Sequence, residues 1–100
     1  MLPIAKLQSL SARYKELEEL LCQQHVLSDA ETYTRLSRER GELSELVEAY
    51  ADFQRVERQI EEDREALQDP ELREMAEEEI PQLEAELEGL TARLNILLLP

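Results

Sequence analysis

Apolar residues recur every three or four positions in three long stretches of this chain, and that spacing constrains the fold more than any other feature. The first stretch repeats in steps of three and four residues, at Leu7, Leu10, Tyr14, Leu17 and Leu21. Such steps place the apolar side chains on one face of an α-helix. No stretch shows the sustained alternation of a half-buried strand, so the sequence predicts no strands.

The second stretch begins after Ser28, which precedes Glu31 by three residues in the pattern of a capping box. The predicted helix covers about 29–67, and Gly41 inside it is expected to cost about 1 kcal/mol relative to alanine. Its apolar positions mostly follow steps of three, four or seven: Tyr33, Leu36, Leu43, Leu46, Tyr50, Phe53, Val56, Ile60 and Leu67.

The third stretch begins at Asp69, Pro70 and Glu71, where Asp69 is expected to cap a helix and Pro70 to take its first position. This helix is predicted over about 70–98. Pro81 interrupts it, because a proline removes one helical hydrogen bond and crowds the preceding turn. We expect a kink near residues 77–81, with a true break into two shorter helices as the alternative.

Together these stretches predict an all-α fold. With a first helix over about 3–25 and short connections, neighbouring helices should be antiparallel and form a three-helix bundle. The second and third helices are longer than the first, so they should extend as a protruding, coiled-coil-like hairpin. The chain is the size of one helical domain, 1–100. Its apolar ending, from Ile96 to Pro100, leads us to expect an N-terminal fragment of a longer protein.

The net charge of −13 narrows the classes of partner. So much negative charge opposes general binding to nucleic acid backbones or anionic membranes. No apolar run approaches the roughly 20 residues that a membrane-spanning helix needs. Cys22 is the only cysteine and cannot form an internal disulfide, which favours a reducing, cytoplasmic location. We expect Cys22 to be an ordinary helix residue.

The residues offer little for catalysis. His25 is the only histidine, whereas a di-iron carboxylate bundle needs a Glu-x-x-His pattern on two helices. The acidic runs at 61–63 and 77–79 are expected to be solvated helix faces. Phosphate-binding loops, nucleophile elbows and Cys-x-x-Cys pairs are absent. We therefore predict a protein that is not an enzyme, with no catalytic or metal residues, no cofactor and no small-molecule ligand. Partner-binding residues stay unassigned.

A small basic cluster comprises Arg35, Arg38 and Arg40, and glutamates at 39 and 42 are interleaved with it. Residues three and four apart share a helix face, so this pattern favours ion pairs within the helix over a nucleic-acid patch. The aromatic residues on the apolar stripes are expected to lie in the core and not to stack on bases. They are Tyr14, Tyr33, Tyr50 and Phe53.

Three stretches have distinctive motifs: Leu36–Ser44 with Asp52 and Phe53, then Asp69–Ala76 (Asp-Pro-Glu-Leu-Arg-Glu-Met-Ala), and finally Leu83–Pro100 with its Leu-Leu-Leu-Pro ending. These stretches resemble the first domain of the bacterial peptide chain release factor 1 family. Their order and spacing match along essentially the whole chain and favour factor 1 over factor 2. Pro81 is unusual against this family pattern.

The resemblance implies a role in terminating translation at UAA and UAG. The codon-reading and Gly-Gly-Gln hydrolysis elements of that family would lie outside this chain. The family's first domain implies a ribosome-docking arm near the stalk base of the large subunit, with the ribosome as partner through the parent protein and no membrane. The acidic surface favours basic ribosomal proteins over ribosomal RNA, and an exposed leucine seam would let the isolated domain form a homodimer.

Two other readings are open from the residues alone. One is a free-standing coiled-coil adaptor or chaperone with no ribosomal role, which should end on a polar segment. The other is a helical enzyme with a carboxylate–metal site, which the single histidine disfavours.

Overall fold

A computed structural model describes all of residues 1–100, and its regular structure is entirely helical. The helices are α1 (Ile4–Leu20), α2 (Gln24–Leu27), α3 (Ala30–Ala66) and α4 (Arg73–Leu97). The prediction of an all-α fold without strands is confirmed. The chain divides into two compact units, Met1–Glu48 and Ala49–Pro100, and the long helix α3 contributes residues to both.

The first helix is shorter than the predicted 3–25. It ends at Leu20, and Gln23 adopts an extended backbone conformation before α2 begins. In an uninterrupted helix, Val26 would point roughly 180° away from Leu17, because nine residues correspond to two and a half turns. The break allows Val26 to be buried in the same cluster as Leu17. Burial of Val26 therefore accounts for the early end of α1.

The capping prediction for α3 is wrong by one residue. Asp29, and not Ser28, caps the helix: the Thr32 backbone N–H donates to Asp29 Oδ1 at 3.2 Å, and the Thr32 hydroxyl donates to Oδ2 at 2.9 Å. The Ser28 hydroxyl instead donates to the Gln24 carbonyl at 2.9 Å, on the last turn of α2. Both polar side chains satisfy backbone groups at helix ends, but at two different helices.

The core of the first unit is a small cluster in which α1, α2 and α3 meet. Leu17, Val26 and Leu36 are buried in it, and the partly buried residues packed against them are Leu20, Leu21 and Leu43. Tyr33, which was predicted to lie on the apolar stripe, is exposed instead. The first turn of α3 therefore contributes less to this core than its sequence spacing indicated.

In the second unit, the C-terminal half of α3 packs against α4. Val56 and Ile60 of α3 form a buried cluster with Leu83 of α4, and the partly buried residues against it are Leu87 and Leu90. The prediction that the two long helices pack against each other is confirmed. Tyr50 and Phe53 stack within α3, with ring centroids 6.3 Å apart.

Pro81 lies inside α4 without breaking it. The helix is continuous from Arg73 to Leu97, so the alternative of two shorter helices is wrong. Pro81 is exposed, and its ring therefore displaces no core side chain. The helix is likewise continuous through Gly41 in α3. No helix is both long enough and apolar enough to span a membrane.

Candidate interaction surface

The side chains that most often carry chemistry are dispersed in this structure. Cys22 is exposed in the turn after α1, not in a helix as expected, and His25 is exposed in α2. No group of three or more His, Cys, Asp or Glu side chains is arranged to hold a metal ion. The remaining surface features are the distribution of charge and the exposed apolar side chains.

Negative charge is concentrated in the second unit. Residues 49–100 contain fifteen acidic side chains and five basic ones, whereas residues 1–48 contain nine acidic and six basic. Within the second unit most of the acids lie on the residues that flank the α3–α4 turn. This end of the hairpin has a strong negative potential, which attracts basic partners and repels phosphate backbones.

The turn between α3 and α4 is held by Asp69. Its side chain Oδ1 accepts the Glu71 backbone N–H at 2.9 Å, and its carbonyl accepts the Arg73 N–H at 2.9 Å. Asp69 therefore stabilises the turn and does not cap α4 as expected: the helix begins at Arg73 and not near Pro70, and its N-cap residue is Leu72, without a side-chain hydrogen bond. The carbonyl contact already has the four-residue spacing of an α-helix, so the turn leads directly into α4.

Two large apolar side chains are exposed next to this turn. Leu72 is 43% exposed and Met75 is 51% exposed. They are three residues apart, with Leu72 immediately before α4 and Met75 in its first turn, so they lie on the same side of the start of the helix. Residues Asp69–Met75, which include the exposed acids Glu71 and Glu74, form the tip surface. Apolar side chains surrounded by charge are typical of a protein-binding patch, although two residues alone form a small one.

An open groove also runs between α3 and α4, with a volume of about 710 Å³. Its floor is formed by Ile60 and Leu87, and four glutamates and two arginines lie on its sides. The charged side chains are Glu57, Arg58, Glu61, Arg64, Glu84 and Glu88. Acidic and basic side chains are therefore mixed along the groove.

In the first unit, the basic cluster is occupied by contacts between helices. Arg13 of α1 donates to both carboxylate oxygens of Glu39 at 2.6 and 2.9 Å, and it also pairs with Glu16. Arg40 donates to Glu18 of α1 at 3.1 Å and lies 5.0 Å from the centre of the Tyr14 ring. Contrary to the expectation of ion pairs within α3, Glu39 and Arg40 pair with residues of α1, while Arg35 still acts on Glu39 electrostatically within the helix.

These contacts shift the ionisation of the groups involved. The Arg13 hydrogen bonds lower the pKa of Glu39, and the same contacts raise the pKa of Arg13. The Glu18 hydrogen bond, followed by the charge interaction with Tyr14, raises the pKa of Arg40. The arginines of the basic cluster do not form one open patch for nucleic acid. Arg40 is paired with Glu18, whereas Arg38 is exposed.

Two acidic residues depart from the predicted solvated faces. Asp63 of α3 is buried, and Glu79 of α4 is half-buried and in hydrogen-bond contact with it. A signal in the sequence could have found Asp63: it follows Val56 and Ile60 in steps of four and three, which places it on the apolar seam. Glu79 similarly stands three residues after buried Ala76 and four before Leu83.

The comparisons with known proteins cover nearly the whole chain. The family model described as "PCRF domain" matches residues 10–100. Peptide chain release factor 1 of Sorangium cellulosum (strain So ce56) is 52% identical over 100 residues, which is 100% of this chain and 28% of that protein. Peptide chain release factor 1 of Geobacter metallireducens is 44% identical over 95% of this chain and 27% of its own length.

The factor of the same name from Geobacter sulfurreducens is 42% identical, again over 95% of this chain and 27% of that protein. The chain thus spans about a quarter of the length of the relatives it matches. No solved structure matches it. The resemblance to release factor 1 that the motifs indicate is confirmed, and since the family model matches nearly the whole chain, the protein belongs to the PCRF domain family.

Proposed function

We propose that this chain is the ribosome-docking arm of a class I peptide chain release factor that directs termination at UAA and UAG. The observation that carries the proposal is the match of the PCRF domain over residues 10–100, together with relatives named peptide chain release factor 1. In this proposal the parent protein acts in the cytoplasm. Codon reading and peptidyl-tRNA hydrolysis belong to parts of the parent outside this chain.

The arm is proposed to contact the stalk base of the large ribosomal subunit through the tip surface. Support comes from the charge pattern, because the acids are concentrated near the α3–α4 turn and Leu72 and Met75 are exposed among them. A basic ribosomal protein satisfies both features, since cationic side chains pair with the acids while apolar groups bury the two exposed side chains. Ribosomal RNA would satisfy neither.

The test separates protein from RNA. The chain is labelled and titrated, by fluorescence anisotropy, with the purified basic protein of the stalk base, with the stalk-base RNA alone, and with the two assembled. We expect binding to the protein and to the assembly, and none to the RNA alone. Tight binding to the RNA alone, with a steep decrease as salt rises, would sink the proposed contact.

The link to termination is tested in the parent factor. Deleting residues 1–100 should reduce ribosome binding and slow peptide release at UAA and UAG in a reconstituted reaction. At high concentrations of the deleted factor, peptide release should still be measurable. If the deleted factor binds the ribosome and releases peptide as the intact factor does, the arm is dispensable for termination and the proposal is wrong.

A further inference from the structure

A buried carboxyl group lies near the turn end of the α3–α4 hairpin. Asp63 is 3% exposed, and its Oδ1 accepts a hydrogen bond from Gln59 Nε2 at 3.0 Å. Its second oxygen, Oδ2, is buried and has no donor among its neighbours. A buried carboxylate oxygen without a donor is unfavourable, because it has lost water and gained nothing in return. This oxygen therefore needs a proton or a cation.

The group that faces Asp63 is a second carboxyl. Glu79 lies on α4 and is half-buried, and a hydrogen bond with Asp63 is the largest cause of its raised pKa. Two carboxylates at hydrogen-bond distance repel each other, and neither can donate. A hydrogen bond between them exists only when one of them carries a proton. That proton is then shared between the two carboxyl groups.

No other charged side chain takes the place of that proton. On α3 the acidic and basic neighbours of Asp63 are Glu62 and Arg64, and both are exposed. On α4, Glu78 is exposed, and Glu77 is paired with Arg73 at 2.9 Å. Only Asp63 and burial act on the ionisation of Glu79.

The pair is placed where it can act on the hairpin. Asp63 continues the seam of Val56 and Ile60, which are buried against Leu83 of α4. The pair lies between this cluster and the α3–α4 turn, and it is a polar contact between the two helices. A polar group at a seam position also fixes the register of two packed helices, since sliding by one turn would leave it unpaired.

We propose that Asp63 and Glu79 form a proton-binding carboxyl pair, which fastens the turn end of the α3–α4 hairpin while it holds one proton and loosens it when that proton is lost. The ligand is a single proton, bound between Asp63 Oδ2 and a Glu79 carboxyl oxygen. The inference does not depend on the proposed function, because it concerns only the two helices of the second unit.

The direction of the pH effect follows from Glu79. The hydrogen bond with Asp63, and then burial, raise the pKa of Glu79 above its ordinary value. A raised pKa in the folded state means that folding binds the proton more tightly. This contribution is complete below the ordinary pKa of a glutamate and is lost as pH rises through the raised one. The folded-to-unfolded ratio changes by about tenfold for each unit of difference between the two pKa values.

The test compares Glu79→Gln with Glu78→Gln in the 100-residue chain. The glutamine at 79 can donate its amide N–H to Asp63 at every pH, so it imitates the protonated pair. The change at Glu78, one residue away and exposed, removes the same charge without touching the pair. Urea unfolding of the unsubstituted chain and both variants is followed by circular dichroism at pH values from about 5 to 8.

We expect the unsubstituted chain and the E78Q variant to lose stability in parallel as pH rises. The E79Q variant should lose less and should be the most stable of the three at pH 8. The D63N variant provides a second check, because its amide can accept from Gln59 and donate to Glu79, and it should flatten the profile in the same way. Parallel profiles for all variants would overturn the proposal.

Two further measurements on the unsubstituted chain do not depend on how the variants fold. The carbon-13 shift of the Glu79 side-chain carboxyl should titrate above the ordinary range of a glutamate, and amide exchange at the turn should accelerate over the same range. Titration of the Glu79 carboxyl in the ordinary range of a glutamate would contradict the pair. Stabilisation by millimolar Mg²⁺ that the E79Q variant lacks would assign the site to a cation and overturn the proton assignment.

Discussion

Arg13 of α1 and Glu39 of α3 form a two-point contact, with Nε and Nη2 of the guanidinium donating to the two carboxylate oxygens. Residues 26 positions apart in the chain are thereby held at a defined register. Parallel N–H···O bonds of this kind need a planar, forked donor, which only arginine supplies. The contact therefore specifies how α1 lies against the first half of α3, beyond what the apolar cluster requires.

Replacing Arg13 tests that specificity. Arg13→Lys keeps the charge but cannot make both hydrogen bonds, so we expect the thermal midpoint of unfolding to fall by a few degrees, and Arg13→Gln to lower it further. Arg38→Gln is the matched control, because Arg38 is exposed on α3, and it should leave the midpoint unchanged. A double-mutant cycle with Glu39→Gln measures the coupling. A coupling energy of zero would show that the Arg13–Glu39 contact does not stabilise the fold.

The core of the first unit is tested at Leu17, which is fully buried beside Val26 and Leu36. Leu17→Ala removes buried methyl groups and leaves a cavity, so we expect a loss of about 2–5 kcal/mol in the free energy of unfolding. Leu27→Ala makes the same truncation at a residue that is 52% exposed and should cost less than about 0.5 kcal/mol. Urea titrations measure both, and equal losses would contradict the assigned core.

The Asp29 cap predicts an acid-dependent stability of opposite sign to that of the carboxyl pair. The Thr32 side chain and backbone lower the pKa of Asp29, so its contribution is present above the ordinary aspartate pKa and is lost as pH falls through the lowered value. Asp29→Ala should destabilise the chain near neutral pH, whereas Asp29→Asn should retain most of the cap. Ser28→Ala should have little effect on α3. Circular dichroism during acid titration measures the loss of stability. A larger destabilisation by Ser28→Ala than by Asp29→Ala would indicate that Ser28 is the cap of α3.

The tip surface is tested by changing its apolar and charged parts separately. A chain with Leu72→Ser and Met75→Ser should bind the basic stalk-base protein at least tenfold more weakly than the unsubstituted chain, with unchanged helical content. Glu74→Lys should weaken binding and reduce its salt dependence. Leu27→Ser and Glu31→Lys make the same types of change at exposed positions of the first unit. Binding losses at those two controls as large as at the tip would refute its assignment.

The sequence predicted the helices well because their apolar steps of three and four reflect the packing that stabilises them. The second and third helices were expected over 29–67 and 70–98 and lie at Ala30–Ala66 and Arg73–Leu97. The end of α1 was missed because the heptad pattern continues to Leu21 although the chain leaves the helix there. Only the tertiary demand to bury Val26 explains that turn, and no local pattern shows it.

The charged contacts were harder to predict. Glu39 and Arg40 were assigned partners in their own helix because residues three and four apart are near one another, yet their partners are on α1. Periodicity identifies which face of a helix is apolar but not which charged residue at its border meets another helix. Asp63 was assigned to a solvated run because its neighbours at 61 and 62 are acidic, although its own seam position argued for burial.

Pro81 provides the last prediction, because α4 continues through a residue that disfavours helix interiors. Proline cannot donate to the carbonyl four residues earlier, at Glu77, and its ring crowds that carbonyl, at a cost of about 3 kcal/mol. Pro81→Ala restores the hydrogen bond but also frees the unfolded chain, which offsets about 0.4–1 kcal/mol. We therefore expect a net stabilisation of about 2 kcal/mol by urea unfolding. Gln82→Ala, at the adjacent exposed position, should change stability by less than about 0.5 kcal/mol. A Pro81→Ala chain no more stable than this control would mean that the helix already accommodates proline without strain.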